Sequence, residues 1–231
     1  MADQWDNADF ARRWDATALV NNPTRAEQLD ILVSLIEETY QQGAAILDLG
    51  IGSGLVEAVL FARRPDAYIV GVESSAAMID LAKRRLASFE SHYTIIQHDF
   101  SDIDGLALPA KEYQMVMSVQ ALHHITHVQQ QKVFQFVANL LPAGGLFLLM
   151  ERIALDPAHF ADIYRSVWNR LERVGEVQSG WTGDYFLQRL EHKEDYPASL
   201  EELLAWMREA GLRATCLHLH LDRAFVVGVK K

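Results

Sequence analysis

The chain has little of several features on which whole classes of protein depend. Cys216 is its only cysteine, so neither an intrachain disulfide nor a metal site built from several thiolates can form. Lysine and arginine number 21 against 31 aspartates and glutamates, which gives a formal net charge of −10 without any basic block. Because binding to a phosphate backbone requires clustered Lys and Arg, the composition disfavours a nucleic-acid partner.

Long apolar runs are also missing. No stretch approaches the roughly 18 apolar residues of a membrane-spanning helix. The first ten residues, MADQWDNADF, have neither the basic start nor the apolar core of a signal peptide. The sequence therefore predicts a cytoplasmic protein without a membrane partner. We interpret residues 1–231 as one domain, since this length suffices to bury a sizeable core; the oligomeric state is left open.

The most informative stretch that is present is a glycine-rich turn. Residues 46–54 read ILDLGIGSG, an apolar run that reaches Asp48 and continues into Gly50, Gly52 and Gly54. Apolar residues at helical spacing follow over 53–64, so the glycines stand between a strand and a helix. A chain turns sharply there and lets a ligand approach its backbone. The stretch predicts a site for a nucleotide-like cofactor.

Strand and helix patterns alternate beyond that turn. Apolar runs predict strands at 68–72, 93–97, 113–118 and 146–150, and helical periodicity covers 75–89 and 128–141. Such alternation is typical of βαβ units in a parallel sheet. The remaining segments are a helical arm (1–42), a helical insertion without strand signal (151–213) and an antiparallel hairpin at the sheet edge (214–229).

Two common cofactors are excluded by the turn itself. The dinucleotide fingerprint needs glycine where Leu55 stands, and the chain has no Gly-Lys-Ser/Thr for a nucleoside triphosphate. Asp48 near three open backbone amides suits the ammonium and carboxylate groups of S-adenosylmethionine. Glu73, at the end of the second strand, can accept hydrogen bonds from both ribose hydroxyls. We also predict that the adjacent Ser74 binds the cofactor.

An adenine site is predicted at the end of the third strand. Asp99 can accept a hydrogen bond from the adenine amino group, while Phe100 and Met78 offer apolar faces to the ring.

Five motifs in this order resemble a class I S-adenosylmethionine-dependent methyltransferase. They are ILDLGIGSG, VGVESSAAMIDLAKRRL, IIQHDF, VMSVQALHHI and LLPAGGLFLLME, and with the closing hairpin they cover about 44–150 and 210–231. The resemblance implies an α/β, Rossmann-like fold with a seven-stranded, mostly parallel sheet, an antiparallel last strand and helices on both faces. The helical insertion then lies between strands five and six.

The same resemblance implies S-adenosylmethionine as cofactor and S-adenosylhomocysteine as its product. By position, Gly50, Glu73, Asp99 and Gln120 correspond to cofactor contacts. Within the family the chain is most similar to small-molecule enzymes. Its C-terminal region is also similar to carboxy-S-adenosylmethionine synthase.

Candidate bases stand directly after the fourth strand. Methyl transfer depends mainly on alignment and exclusion of water, and a general base helps when the acceptor must lose a proton. His123 and His124 of the sequence HHITH are the candidates, with His124 preferred; packing or capping of the next helix is an equal alternative. No paired carboxylate is near in sequence, so we predict no metal site.

The acceptor side is predicted from aromatic residues of the insertion and the arm. Tyr164, Trp168 and Tyr185 predict a lid, because insertions after the fifth strand lie over the cleft. Arg152 at the end of that strand and Trp14 in the arm are predicted to contact the substrate. Ordinary packing is the alternative for all of these.

The leading hypothesis is a methyltransferase that acts on an oxygen, nitrogen or carbon atom of a small molecule. The alternatives are an enzyme like carboxy-S-adenosylmethionine synthase, which uses this cofactor without methylating, and a non-catalytic S-adenosylmethionine-binding protein. A nucleic-acid methyltransferase is disfavoured by charge and by the absence of Asn/Asp-Pro-Pro-Tyr/Phe after strand four, where Val119-Gln120-Ala121-Leu122 stands.

Overall fold

A central β-sheet organises the molecule. The computed structural model describes residues 5–17, 23–178, 180–190 and 195–231, and within them seven strands form one sheet in the order β3-β2-β1-β4-β5-β7-β6. The strands are β1 (Ala45–Leu49), β2 (Tyr68–Glu73), β3 (Tyr93–Gln97), β4 (Met115–Val119), β5 (Leu146–Arg152), β6 (Leu212–His220) and β7 (Arg223–Lys230). Only β7 runs against its neighbours in this sheet, pairing antiparallel with both β5 and β6. The predicted sheet is confirmed.

Helices connect these strands as the alternating pattern predicts. They are α1 (Ala8–Thr17), α2 (Arg25–Thr39), α3 (Leu55–Arg63), α4 (Ala76–Arg85), α5 (His127–Leu140), α6 (Pro157–Arg173), α7 (Gly183–Leu190) and α8 (Leu200–Glu209). Short 3₁₀ turns at Ala87–His92, Phe100–Gly105 and Leu122–His124 complete the connections. None of the helices described combines the length and apolar content that a bilayer-spanning segment needs.

Both faces of the sheet are covered, which explains the continuous apolar runs of its central strands. Successive residues of a strand point to opposite faces, so Leu47 joins one core and Ile46 the other. On the first face the sheet packs against α5 and α8, through residues such as Phe134 and Leu203. On the second face it packs against α2 and α3, with Leu32 and Leu60 fully buried.

Several local predictions need correction. The predicted end of the fifth strand at residue 150 is two residues short, because pairing with β7 continues through Arg152 and Arg223. The sequence Thr24-Arg25-Ala26-Glu27 predicts a capping box at the start of α2, but the Thr24 side chain makes no capping hydrogen bond there. The same pattern at Ser199 and Glu202 predicts a capping box at the start of α8, and there it forms.

The insertion between β5 and β6 is helical, as predicted, and has a core of its own. Trp168 of α6 and Phe186 of α7 are buried, with ring centroids 4.5 Å apart and nearly parallel. The last helix of the insertion, α8, does not join this core but packs on the sheet. Parts of the predicted arm (1–4 and 18–22) and of the insertion (179 and 191–194) lie outside the described residues.

Candidate functional site

The glycine turn between β1 and α3 has a backbone that side chains would disturb. Gly50, Gly52 and Gly54 have φ angles of +99°, +55° and +73°, in the left-handed region that favours glycine. A Cβ atom on Gly50 would lie 2.5 Å from the Cβ atom of Ala121, so the close approach of the two segments also requires glycine. Gly50 and Gly52 face a cavity, whereas Gly54 serves as the N-cap of α3.

That cavity has a volume of about 450 Å³, within the range of small-molecule sites, about 300–1,000 Å³. It lies where parallel α/β sheets bind their ligands, outside the carboxyl ends of the strands. Ten of the predicted site residues line it: Trp14, Gly50, Gly52, Glu73, Ser74, Met78, Asp99, Phe100, Gln120 and His124. Eight others complete the wall: Trp5, Ser101, Val119, Ala121, Ile125, Thr126, Gln129 and Tyr196. One cavity thus brings together residues from across the sequence.

Glu73, the last residue of β2, is held directly over the glycine turn. Its Oε2 atom accepts a hydrogen bond from the Gly52 N–H at 3.0 Å, and its Oε1 atom accepts one from the Ser75 N–H at 2.9 Å. Burial raises the pKa of Glu73, and the hydrogen bonds from Ser75 and Gly52 oppose that rise. The carboxylate is therefore positioned before any ligand arrives, with acceptor capacity left on both oxygens.

Two further predicted contacts lie at the ends of β3 and β4. Asp99 Oδ1 accepts a hydrogen bond from the Ser101 N–H at 2.8 Å, which fixes the carboxylate at the cavity beside Phe100. Gln120 follows β4 with a positive φ of 57°, and its Oε1 atom accepts a hydrogen bond from Arg223. The Nε2 atom of Gln120 is buried without a partner in the part of the chain described, so it is available to a ligand.

Asp48 does not line the cavity. It is buried beneath the glycine turn together with Glu57, a residue that the sequence did not single out. Burial raises the pKa of Asp48 well above its usual range, and the neighbouring Glu57 raises it further. Burial also raises the pKa of Glu57. Burial therefore favours the protonated form of each of these two carboxyl groups, and the predicted contact of Asp48 with an ammonium group stays a prediction.

Replacing Glu57 by glutamine is expected to stabilise the fold by about 1 kcal/mol at pH 7, because it removes one of two neighbouring carboxyl groups whose ionisation burial disfavours. Both raised pKa values mean that the folded state keeps protons that the unfolded chain releases near pH 4, so wild-type stability falls as pH rises above that value. The stability of the variant should decrease less steeply with rising pH, which thermal unfolding between pH 4 and 8 would measure. Glu38→Gln, at an exposed position of α2, is the control. A variant less stable than wild type at every pH would show that the buried pair of carboxyl groups does not destabilise the fold.

The two adjacent histidines occupy different environments. His124 lines the cavity, and its Nδ1 atom is 2.9 Å from Asp195 Oδ1. Asp195 Oδ2 in turn accepts a hydrogen bond from Arg152 Nη1 at 2.7 Å. Burial alone would raise the pKa of Asp195, but the hydrogen bond with His124 and the charges of His123, His124 and Arg152 lower it to about 2. Asp195 is therefore an anion that fixes one ring nitrogen of His124.

His123 is buried behind its neighbour and does not reach the cavity wall. Its Nδ1 atom lies 2.5 Å from Glu151 Oε1, and Glu151 Oε2 accepts a hydrogen bond from the Leu122 N–H at 2.8 Å. Burial lowers the pKa of His123 despite the adjacent carboxylate. These contacts tie the turn after β4 to the end of β5, in keeping with the packing alternative for His123, and its catalytic role stays a prediction.

Three potential metal ligands lie near each other within the described ranges. Ligating atoms of His123, His124 and Asp195 are all within 4.8 Å of one another. The Nδ1 atoms of both histidines already have carboxylate partners, and Asp195 also binds Arg152, whose charge opposes a metal cation. The prediction of no metal stays a prediction.

The N-terminal arm forms one wall of the cavity through Trp5 and Trp14. The two indole rings pack edge-on with centroids 5.4 Å apart, and Trp5 also packs on His124 at 5.6 Å. Asp15 attaches the arm to the body: it accepts hydrogen bonds from Ser53 Oγ at 2.5 Å and Arg85 Nη2 at 2.7 Å. The arm therefore contacts both the glycine turn and His124.

The remaining substrate predictions fall elsewhere in the molecule. Arg152 is nearly buried and hydrogen-bonds Asp195 and the Arg189 carbonyl oxygen. Trp168 donates its Nε1 hydrogen to the Trp181 carbonyl, at 2.6 Å, and Tyr164 and Tyr185 surround the same α6–α7 core. None of these four lines the cavity.

The insertion reaches the cavity through Tyr196, whose N–H donates to the His123 carbonyl at 2.6 Å. Neither Tyr196 nor Asp195 lies in a helix or strand, so no periodicity marked them.

Comparison with known proteins agrees with this geometry. A family model described as a methyltransferase domain matches residues 46–145, from β1 to the start of β5. A carboxy-S-adenosyl-L-methionine synthase of Campylobacter lari is 22% identical over 150 residues, covering 65% of this chain and 62% of that protein. An uncharacterized methyltransferase of Anoxybacillus flavithermus is 30% identical over 147 residues, covering 62% and 64%.

Among solved structures, an O-methyltransferase family protein from Burkholderia thailandensis superposes with a TM-score of 0.67 at 15% identity. The match covers 98% of this chain and 61% of that one, so the chain spans less than two thirds of each of these three proteins. The fold is that of class I methyltransferases. Residues 46–145 thus match a methyltransferase-domain family, and the solved structure shares the fold of the whole chain.

Proposed function

We propose that the chain transfers the methyl group of S-adenosylmethionine to an oxygen, nitrogen or carbon atom of a small-molecule acceptor. The observation that carries this proposal is the position of His124, which lines the same cavity as Gly50, Glu73 and Asp99. A proton-accepting side chain and the residues suited to an adenosyl group thus share one enclosed space. S-adenosylmethionine, when bound, supplies a methyl group on a positively charged sulfur.

The residues present fit that cofactor. Glu73 has acceptor capacity for ribose hydroxyls, and Asp99 beside Phe100 has it for an adenine amino group. Gly50 and Gly52 leave backbone space that a side chain would fill, and the buried Nε2 atom of Gln120 lacks a partner among the residues described. Donors and acceptors therefore surround a predominantly apolar cavity, as small-molecule sites require.

A general base at His124 follows from its hydrogen bonds. With Nδ1 bound to the ionised Asp195, the proton of a neutral ring resides on Nδ1 and Nε2 carries the lone pair. Arg152 donates a hydrogen bond to Asp195, and Asp195 in turn fixes the orientation of the His124 ring. His124 then accepts a proton from an alcohol, phenol or protonated amine, and Asp195 stabilises the imidazolium that results.

The wall of the cavity favours a small acceptor. Trp5, Trp14 and Tyr196 contribute aromatic surface around His124, and exclusion of water assists methyl transfer. A net charge of −10 disfavours long-range attraction of a nucleic acid.

A second candidate is an activity like that of the Campylobacter lari relative, whose name denotes synthesis of a carboxylated S-adenosylmethionine. The similarity to that relative extends over 65% of this chain, which supports this second candidate. The two candidates differ in the fate of the methyl group: the first moves it to an acceptor, whereas the second retains it on the cofactor as a carboxymethyl group.

Incubation of the protein with methyl-labelled S-adenosylmethionine and a metabolite extract is expected to yield a labelled small molecule and S-adenosylhomocysteine. Mass spectrometry of both fractions makes the measurement. A labelled, carboxylated derivative of the cofactor would instead identify the second candidate, and label in nucleic acid or protein would contradict a small acceptor. Boiled protein is the control for transfer that does not depend on the folded chain.

A further inference from the structure

The charged side chains on the cavity wall are carboxylates. Among the lining residues that the structure describes, Glu73 and Asp99 carry carboxylates, and none is a lysine or an arginine. Backbone N–H groups of Gly52 and Ser75 hold Glu73 in place, and the Ser101 N–H does the same for Asp99. The cavity is therefore suited to a ligand with positive charge, since an acidic wall attracts cations and repels anions.

Arg152, which the sequence assigns to the substrate, is already paired. It donates from Nη1 to Asp195 Oδ2 at 2.7 Å and from Nη2 to the Arg189 carbonyl oxygen at 2.9 Å. Arg25 and Arg223 contact the wall residues Trp14 and Gln120 but are not themselves among the residues that line the cavity. An acceptor with a carboxylate or phosphate group would thus find no partner among the described lining residues, and an unpaired buried charge is costly.

Aromatic rings stand beside the candidate base. The Trp5 ring packs on His124 with centroids 5.6 Å apart, and the Trp5 carbonyl oxygen accepts a hydrogen bond from Ser75 Oγ at 2.8 Å. Tyr196 also lines the cavity, and its N–H donates to the His123 carbonyl oxygen at 2.6 Å. A cation within about 6 Å of an aromatic ring face is attracted to it, most strongly for tryptophan. These rings can therefore stabilise a positively charged acceptor close to His124.

Charge balance favours an amine as that acceptor. An amine that enters as an ammonium ion gives a proton to His124 Nε2, and the freed lone pair of its nitrogen forms the bond to the methyl carbon while the carbon–sulfur bond breaks and leaves its electron pair on sulfur. The ammonium and the sulfonium carry the positive charges before this step, and the imidazolium and the methylated ammonium carry them afterwards. Glu73 and Asp99 balance two positive charges throughout, whereas an alcohol would bring none.

We propose that the acceptor is a small amine with a flat apolar body, which enters the cavity as an ammonium ion beside Trp5 and Tyr196 and is deprotonated by His124. The inference rests on the proposed function and narrows it to a nitrogen acceptor. It also disfavours the second candidate, because a carboxylated cofactor would add negative charge to a cavity that already contains two carboxylates.

Fractionation of a metabolite extract by charge tests the proposal. Ion exchange at pH 7 gives cationic, neutral and anionic pools, and each is incubated with the protein and methyl-labelled S-adenosylmethionine. We expect labelled product from the cationic pool at least tenfold above either other pool, with mass spectrometry placing the methyl group on nitrogen. Label mainly in the neutral or anionic pool would overturn the amine. A labelled small molecule from none of the pools would instead overturn the proposed function.

Trp5 allows a test of the contact with the cation. Trp5→Leu is expected to raise KM for the labelled amine about three- to tenfold with a smaller change in kcat, because the ring contributes to binding and not to proton transfer. Trp5→Phe should recover part of the affinity, which a loss of folding would not allow. Phe160→Leu is the matched control, since Phe160 is an exposed aromatic residue of α6 that does not line the cavity. Equal KM values for wild type and Trp5→Leu would refute the aromatic contact.

Discussion

Replacing His124 by alanine is expected to slow turnover by about 10²-fold or more, the usual contribution of a positioned general base. The affinity for S-adenosylhomocysteine should remain close to that of wild type, because Glu73 and Asp99, the predicted adenosyl contacts, stay in place. The measurement is kcat with the acceptor found by labelling, alongside calorimetric titration of the cofactor product. Added imidazole should restore part of the rate, since it can occupy the space that the side chain leaves.

The chain offers a matched control for this result in the same HHITH sequence. His127 is the first residue of α5, packs against Trp206 at 5.3 Å and does not line the cavity. His127→Ala should therefore leave turnover unchanged. A wild-type rate for His124→Ala would remove His124 as the base.

The role of the hydrogen bond between Asp195 and His124 Nδ1 can be tested separately with Asp195→Asn. That variant keeps the size of the side chain but removes the charge that stabilises the imidazolium, so kcat should fall while KM changes little. An effect on KM alone would indicate that Asp195 only shapes the cavity.

Replacing Glu73 by alanine is expected to weaken S-adenosylhomocysteine binding about tenfold or more. A hydrogen bond to a charged group contributes about 1.5–3 kcal/mol, and 1.4 kcal/mol already corresponds to a factor of ten. The carboxylate is fixed by the Gly52 and Ser75 amides, so little ordering accompanies ligand binding. Isothermal titration calorimetry gives the affinity directly.

Two variants give this measurement its controls. Glu73→Gln keeps one acceptor oxygen and should fall between wild type and alanine. Glu90→Ala removes an exposed carboxylate that does not line the cavity, and this variant should bind normally. Unchanged affinity of Glu73→Ala would refute the ribose contact.

The fold was predictable because burial leaves a periodic trace in the chain. Strands such as β1 and β4 are covered on both faces and read as apolar runs, while helices repeat with their own period. The cofactor side was predictable for a related reason: Glu73 and Asp99 each follow a strand, and parallel strands bring their carboxyl ends to one edge of the sheet. The position of such a residue at a strand end in the sequence therefore indicates where it lies in the fold.

The residues on the acceptor side of the cavity cannot be located from the sequence in this way. Aromatic content suggested Trp168 and Tyr185, yet Trp168 belongs to the α6–α7 core, because a helical pair inserted after β5 must first bury its own apolar faces. Tyr185 is exposed and packs against Trp181 beside that core. Tyr196 and Asp195, which reach the cavity and His124, come from a stretch without periodicity.

By itself, the sequence determined the α/β class, the alternation of strands and helices in the cofactor half and the kind of cofactor, since each depends on local periodicity or on the residue at a strand end. Only the tertiary structure decided which histidine faces the cavity and that Glu57 lies against Asp48. It alone also brought Arg223 to Gln120, 103 positions apart in the numbering. Those arrangements depend on side chains from distant elements meeting in three dimensions, and such meetings leave no regular spacing along the chain.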